Sequence, residues 1–320
     1  MKTKFAIGCL VQWYELDIIP FYVESLKAAI QDYEGEVHID MKLVMNQQLE
    51  KTSMSKDEFE SIEMKVFKMF HELQQYCNRG LVFVDTRHDI YTIADYRREF
   101  NNKFCDLADV IIWGESDMLV PRQMFIALDS LHQSQSNSTP KYLATFGICK
   151  MWDDSWKALE HSDFTDKPFI ENDYENWWSL KYTMNIDEMN AINDKVTDLD
   201  VRIVSPHKFN GCGLVVSSEV IKSGVNIPKS VFFVHEDTAF MLMTQKVLGN
   251  IPQYHFKNIL AVHNRNHPLK RGYIAGESGT TLNEQRRSND WYTKANKYSE
   301  ENCYNIFNTL HKSKSWTDIL

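Results

Sequence analysis

The sequence predicts an α/β protein with a mixed, largely parallel sheet flanked by helices. Short apolar runs alternate with amphipathic stretches of helical period, and that alternation implies crossovers between parallel strands. At 320 residues the chain can bury a large core. Its 43% hydrophobic and 25% charged residues are a globular composition without disorder bias.

Phe5 to Val11 is short, apolar and closed by polar residues, as a buried strand should be. A helix follows from Pro20 to Ile30, with proline near its first turn. Val37 to Met45 alternates like a second strand. From Ser55 to Tyr76 the helical period is clearest: Ser55 and Glu58 form a capping box, and Phe59, Ile62, Val66, Phe70 and Leu73 recur on one face. Leu81 to Val84 reads as a third strand, Tyr91 to Ala108 as a helix, and Val110 to Trp113 as a fourth strand. Lys141 to Ile148 and Gly213 to Val216 are further strands, Glu236 to Leu248 a helix, and His255 to Val262 a late strand. Residues 151–200 differ in character: rich in Trp, Asp, Glu and Asn, they read as an insertion facing substrate. From His263 to about residue 290 the chain is polar and helix-poor.

A net charge of −9 argues against nonspecific attraction to nucleic acid or anionic lipid. The six cysteines are scattered without a Cys-x-x-Cys pair, which fits buried thiols in a reducing compartment. No apolar run reaches the length of a signal or membrane-spanning segment, so the expected location is cytoplasmic. There is no Gly-x-Gly-x-x-Gly or Walker loop, which weighs against a dehydrogenase or NTPase. Gly276-Glu277-Ser278-Gly279 imitates a nucleophile elbow but lacks its strand and its second glycine.

The most informative segment is Ala108-Asp109-Val110-Ile111-Ile112-Trp113-Gly114-Glu115-Ser116-Asp117-Met118-Leu119-Val120-Pro121. A buried strand ends in two carboxylates two residues apart. Ligands of open α/β sheets sit beyond the carboxyl ends of the strands, and phosphate-bound divalent cations take one or two carboxylates. Extended backbone would aim Glu115 and Asp117 to one side, and Asp117 is expected to be exposed in a cleft. On the preceding helix Arg98 and Asn102 share a face. A second acidic pair, Glu236-Asp237, follows the apolar run Val231 to Val234 and opens a helix, where a carboxylate can take a proton from an attacking hydroxyl.

Strand, acid-x-acid, hydrophobic pair, proline and helix together resemble the aspartate-x-aspartate region of GT-A glycosyltransferases, particularly family 2. The resemblance is one of motif order over most of residues 4 to 265. It implies a GT-A (Rossmann-like) fold and transfer of a sugar from a nucleotide-sugar donor to a hydroxyl acceptor. It further implies a cation, Mn²⁺ or Mg²⁺, at Asp117 and at His263, which lies just past the last strand. Glu115 stands where the family has its first Asp, toward the donor. Gln12, Asp85, Arg87, Arg98 and Asn102 are the remaining expected donor contacts, with Lys270 and Arg271 closing over the phosphates. Gly211-Cys212-Gly213-Leu214-Val215-Val216-Ser217 resembles the family's acceptor strand, and Glu236-Asp237 its base motif, with Asp237 preferred. Residues 1–262 are then the catalytic domain, 151–200 an acceptor-side insertion, and 263–320 an extension closing over the donor. One-step displacement predicts inversion, although the fold hosts both outcomes. Glycan, small metabolite, lipid-linked sugar, protein and modified DNA are open as acceptors. The rivals are a nucleotidyltransferase acting on sugar phosphates, which normally has a Gly-rich basic loop where Gln12-Trp13-Tyr14-Glu15 stands, and a noncatalytic carbohydrate-binding protein using the Trp-rich segment.

Overall fold

A computed structural model describes residues 1–46, 49, 55–149, 185–204, 209, 211–263 and 290–320. The strands are β1 Phe5–Gln12, β2 Val37–Val44, β3 Val82–Arg87, β4 Val110–Trp113, β5 Met118–Leu119, β6 Leu143–Cys149, β7 Val201–Val204, β8 Leu214–Ser217 and β9 Gln253–His263. The principal helices are α1 Ile19–Gln31, α2 Lys56–Glu72, α3 Ile93–Phe104, α4 Met124–Gln135, α5 Ile186–Asn193, α6 Ser218–Lys222, α7 Glu236–Leu248 and α8 Asp290–Tyr304. None of the described helices is long and apolar enough to cross a membrane.

The strands form one nine-stranded sheet in the order β3-β2-β1-β4-β8-β6-β9-β5, with β7 paired to β9. β3, β2, β1 and β4 run parallel; β8 is antiparallel to β4 and β6, and β9 runs parallel to β6. Following those directions, the C-terminal ends of β1 to β4 and of β9 share one edge, where β8 begins. The sheet is thus mixed and largely parallel, as the alternation of apolar runs predicts.

Alternation along the strands divides two cores. Phe5, Ile7, Cys9, Val110 and Ile112 pack with apolar residues of α1, α2 and α4 on one face. Ala6, Leu10, Ile111, Trp113, Leu214 and Val216 pack with α3, α6 and α7 on the other. Ser55 and Glu58 make the expected reciprocal cap on α2, and Thr92 with Asp95 does the same for α3. β7, α5 and α6 are elements that periodicity does not announce, each being too short to show it. Residues 150–184, most of the Trp-rich segment, lie outside the described residues, as do Lys270 and Arg271.

Candidate active site

β4 ends at Trp113, and the chain turns at once: the Met118 N–H donates to the Glu115 carbonyl at 3.0 Å. The acid-x-acid segment is therefore a turn, not the extended strand expected from alternation. Both acids still meet one partner, because β5 pairs antiparallel with β9 and sets Met118 opposite His263. His263 Nε2 lies 3.1 Å from Glu115 Oε2 and 3.5 Å from Asp117 Oδ1. Asp117 and the imidazole are buried, against the expectation of an open cleft, while the Glu115 side chain is 25% exposed. Ser116 Oγ donates to Glu15 Oε2 at 2.7 Å, and the same oxygen accepts the Gln12 N–H at 2.8 Å, so the loop after β1 is tied to the turn after β4.

Arg97, from α3, joins this group to the second acidic pair. Its Nη2 donates to Glu115 Oε1 at 2.6 Å and to the Gly211 carbonyl at 3.1 Å, and its Nη1 donates to Glu236. The guanidinium lies 4.8 Å above the Trp113 ring, which contacts Phe240 of α7 edge-on at 5.0 Å. A Cβ at Gly211 would fall 1.9 Å from Arg97 Nη1, so a side chain there would displace the guanidinium from the acids. Cys212 follows it, and Glu115, Cys212 and His263 present ligand atoms all within 4.8 Å of one another.

Charge on these groups is set mutually. Burial opposes ionisation of Glu115, but the His263 imidazolium and Arg97 overcome it and hold the pKa at about 2. Burial likewise opposes protonation of His263, and Cys212, Asp117 and Glu115 together raise its pKa well above the ordinary value. In Glu236 burial wins: the pKa rises to about 7 against the pull of Arg97, with Asp237 and Glu115 pushing the same way. Burial is the larger cause, and one guanidinium shared between carboxylates leaves an excess of negative charge that adds to it. The donor set of carboxylates, imidazole and thiol, with an N···O separation near that of neighbouring ligands on one ion, fits a divalent cation.

The second pair sits at the start of α7. Asp237, half-buried, accepts the Thr238 N–H at 2.6 Å. His235 before it has φ 68°, a left-handed conformation uncommon outside glycine and concentrated at functional sites. The apolar run Val231 to Val234 is not a strand; side chains from two helices satisfy its backbone. Arg98 donates to the carbonyls of Ile227, Pro228 and Val231 at 2.9, 3.1 and 2.7 Å, and Thr92 to that of Phe232 at 2.9 Å. From α8, the Ser299 hydroxyl accepts the Phe233 N–H and donates to the Val234 carbonyl, and Asn302 donates to Ser230. Cys303 Sγ lies 3.6 Å from the His235 carbonyl oxygen.

Arg98 is thus engaged with backbone, and Asn102 is exposed and accepts from Asn226 at 2.8 Å. The residues of α3 that face the site come one position earlier. Arg97 holds the acids, and Asn101 accepts from Trp113 Nε1 at 2.8 Å. Asp85 pairs with Lys42 at 3.4 Å and Arg87 with Glu99 at 3.4 Å. Both lie at the carboxyl end of β3, with β2 and β1 between them and β4. Glu115, Asp117, His263 and Glu236 are brought together; Asp85 and Arg87 stand apart from them, and sequence reasoning missed Arg97, Trp113 and Cys212.

No protein-family model and no curated protein matches the sequence. Solved structures match the fold. S. aureus TarS 1–349 in complex with UDP-GlcNAc aligns with a TM-score of 0.50 at 9% identity, over 97% of this chain and 68% of that one. S. aureus TarS 1–349 gives 0.49 at 10% identity, over 96% and 75%. The fold is GT-A, as the motif order implies. At this identity the likeness is one of fold.

Proposed function

We propose that this chain transfers a sugar from a nucleotide-sugar donor to a hydroxyl acceptor. The observation that supports it most is the meeting of Glu115, Asp117 and His263 at the carboxyl edge of a GT-A sheet, with Arg97 linking them to Glu236. Asp117 and His263, with Glu115 beside them, would hold Mn²⁺ or Mg²⁺. When bound, such a cation supplies neutralisation of the charge on the leaving diphosphate. Arg97 orients Glu115 through one oxygen and leaves the other toward the cation position. Gln12, Asp85 and Arg87 are assigned to the nucleoside end of the donor, and Lys270 and Arg271 to its phosphates.

Asp237 is assigned as the base that takes the acceptor hydroxyl's proton, because it opens α7 and is the more accessible of the pair. Glu236, buried against Arg97, fixes the start of that helix relative to the acids. Displacement assisted by one base inverts the anomeric centre.

The test is a thermal-shift series of nucleotide-sugars with and without Mn²⁺. UDP-GlcNAc comes first, being the ligand named for the TarS structure. A donor about 100-fold above its Kd should stabilise the fold by roughly 2.7 kcal/mol, with Mn²⁺ required, and Asp117→Asn should lose the cation-dependent part. Stabilisation by a nucleoside triphosphate with a sugar phosphate instead would favour nucleotidyl transfer. Binding without donor turnover would favour a carbohydrate-binding protein.

A further inference from the structure

Cys212 packs in the apolar core by burial, yet its sulfur also faces Glu115 and His263. It is buried on the Gly211–Gly213 turn that leads into β8, with Gly213 in the left-handed region at φ 69° and its N–H donating to the Trp113 carbonyl at 2.8 Å. That turn delivers the sulfur to Glu115 and His263, all three ligand atoms lying within 4.8 Å of one another. The Glu115 and His263 atoms, 3.1 Å apart, already have the spacing of adjacent ligands on one ion, about 3.3 Å for a tetrahedral site with bonds near 2.0 Å.

We propose that Cys212 joins Asp117, His263 and Glu115 as a further protein ligand at this cation site, and that it turns the site's preference from Mg²⁺ toward thiophilic divalent ions such as Co²⁺ and Zn²⁺. The inference rests on the cation reading above and deepens it. An all-oxygen site suits Mg²⁺ or Mn²⁺, whereas imidazole and thiolate favour the later first-row ions. Ligation sends both the thiol proton and the His263 imidazolium proton to solvent. Arg97, by holding the other Glu115 oxygen, fixes the orientation of that ligand from outside the coordination shell.

The test is optical and needs no turnover. Co²⁺ is titrated into the full chain and the visible and near-ultraviolet spectrum recorded. The expected result is a set of ligand-field bands together with a thiolate-to-cobalt charge-transfer band. Cys212→Ser should keep the ligand-field bands and lose the charge-transfer band, while Cys105→Ser, at a half-exposed thiol elsewhere on the surface, should change neither. Competition calorimetry should show the Zn²⁺-over-Mg²⁺ preference of Cys212→Ser reduced at least about 10-fold, since loss of a direct ligand costs no less than loss of a group behind one. Ligand-field bands without charge transfer in the unaltered protein would overturn the sulfur's role and leave the cation site standing; that spectrum needs no variant to fold. Absence of any cobalt spectrum would overturn both readings.

Discussion

Glu115, Asp117 and His263 are positioned by backbone, whereas Glu236 and Asp237 are positioned by side chains. On the first arm, ladder pairing of β5 with β9 and a turn closed by Met118 fix the geometry within a few residues of the acids. On the second, an irregular segment from Ile227 to His235 is held by Arg98 of α3 and its capping residue Thr92 on one side and by Ser299 and Asn302 of α8 on the other. Ladder hydrogen bonds are repeated and cooperative, so losing one side chain hardly disturbs them. Side-chain clamps are few, and each buried carbonyl they satisfy is left costly when the clamp is removed. The two arms should therefore fail differently.

Arg97 belongs to both arms, and its replacement is expected to have the largest effect. Arg97→Met leaves Glu236 and Glu115 without their shared cation, and breaking a buried pair from one side costs about 3–5 kcal/mol. Chemical denaturation measures this, and a loss below 1 kcal/mol in order of magnitude would deny that Arg97 couples the arms. Asp237→Asn is the contrasting case. It should lower transfer by about 10²–10⁴-fold while donor affinity and melting temperature hold, because among the described residues its side-chain hydrogen bonds are local, to Thr238. Equal loss of donor affinity would remove the separation of base from donor site.

Arg98→Ala tests the clamp itself. Three carbonyls lose a donor, at roughly 1 kcal/mol each, and hydrogen exchange should rise across residues 227–240 while residues 110–119 keep their protection. A uniform rise over both arms would mean the distinction is wrong. Glu236→Gln is expected to act least, through pH. In the folded protein Glu236 titrates at about 7 rather than at its ordinary 4.5. Between those values the folded state binds more protons than the unfolded state, so stability falls as pH rises through that window. The unaltered protein should lose a few degrees of melting temperature relative to Glu236→Gln between about pH 5 and about pH 8. A constant difference across that range would show Glu236 ionised throughout.

The same division explains what could be read in the sequence. The sheet, the capped helices and the acidic pair were legible because each is local: an apolar run, a Ser55-x-x-Glu58 box, carboxylates at a strand end. His263 was legible as the residue after the last strand. Arg97 was not, because a choice between adjacent arginines turns on which helix face meets the sheet. The signal was nonetheless present, for Phe100 and Phe104 stand three and seven residues after Arg97, on its face, and mark that face as buried. The clamps were illegible for a different reason: Arg98 reaches residues about 130 positions away, and nothing in its neighbourhood announces carbonyls there. The turn at Glu115 defeated the alternation argument because β5 resumes in a new pairing after only a turn's length.

The place of α8 also bears on when, during synthesis, the protein becomes competent. β1 to β4 with their helices leave the ribosome first and can assemble among themselves, since their pairings lie close in the chain. The loop before Glu236 emerges later and can dock on α3, but Ser230, Phe233 and Val234 keep unsatisfied backbone groups until Ser299 and Asn302 arrive. At about 5–20 residues per second, that interval between residue 236 and residue 302 lasts several seconds. Throughout it the nascent chain carries its sheet without an anchored start of α7, so a stalled or prematurely stopped polypeptide would keep the fold of the first arm and lack the second.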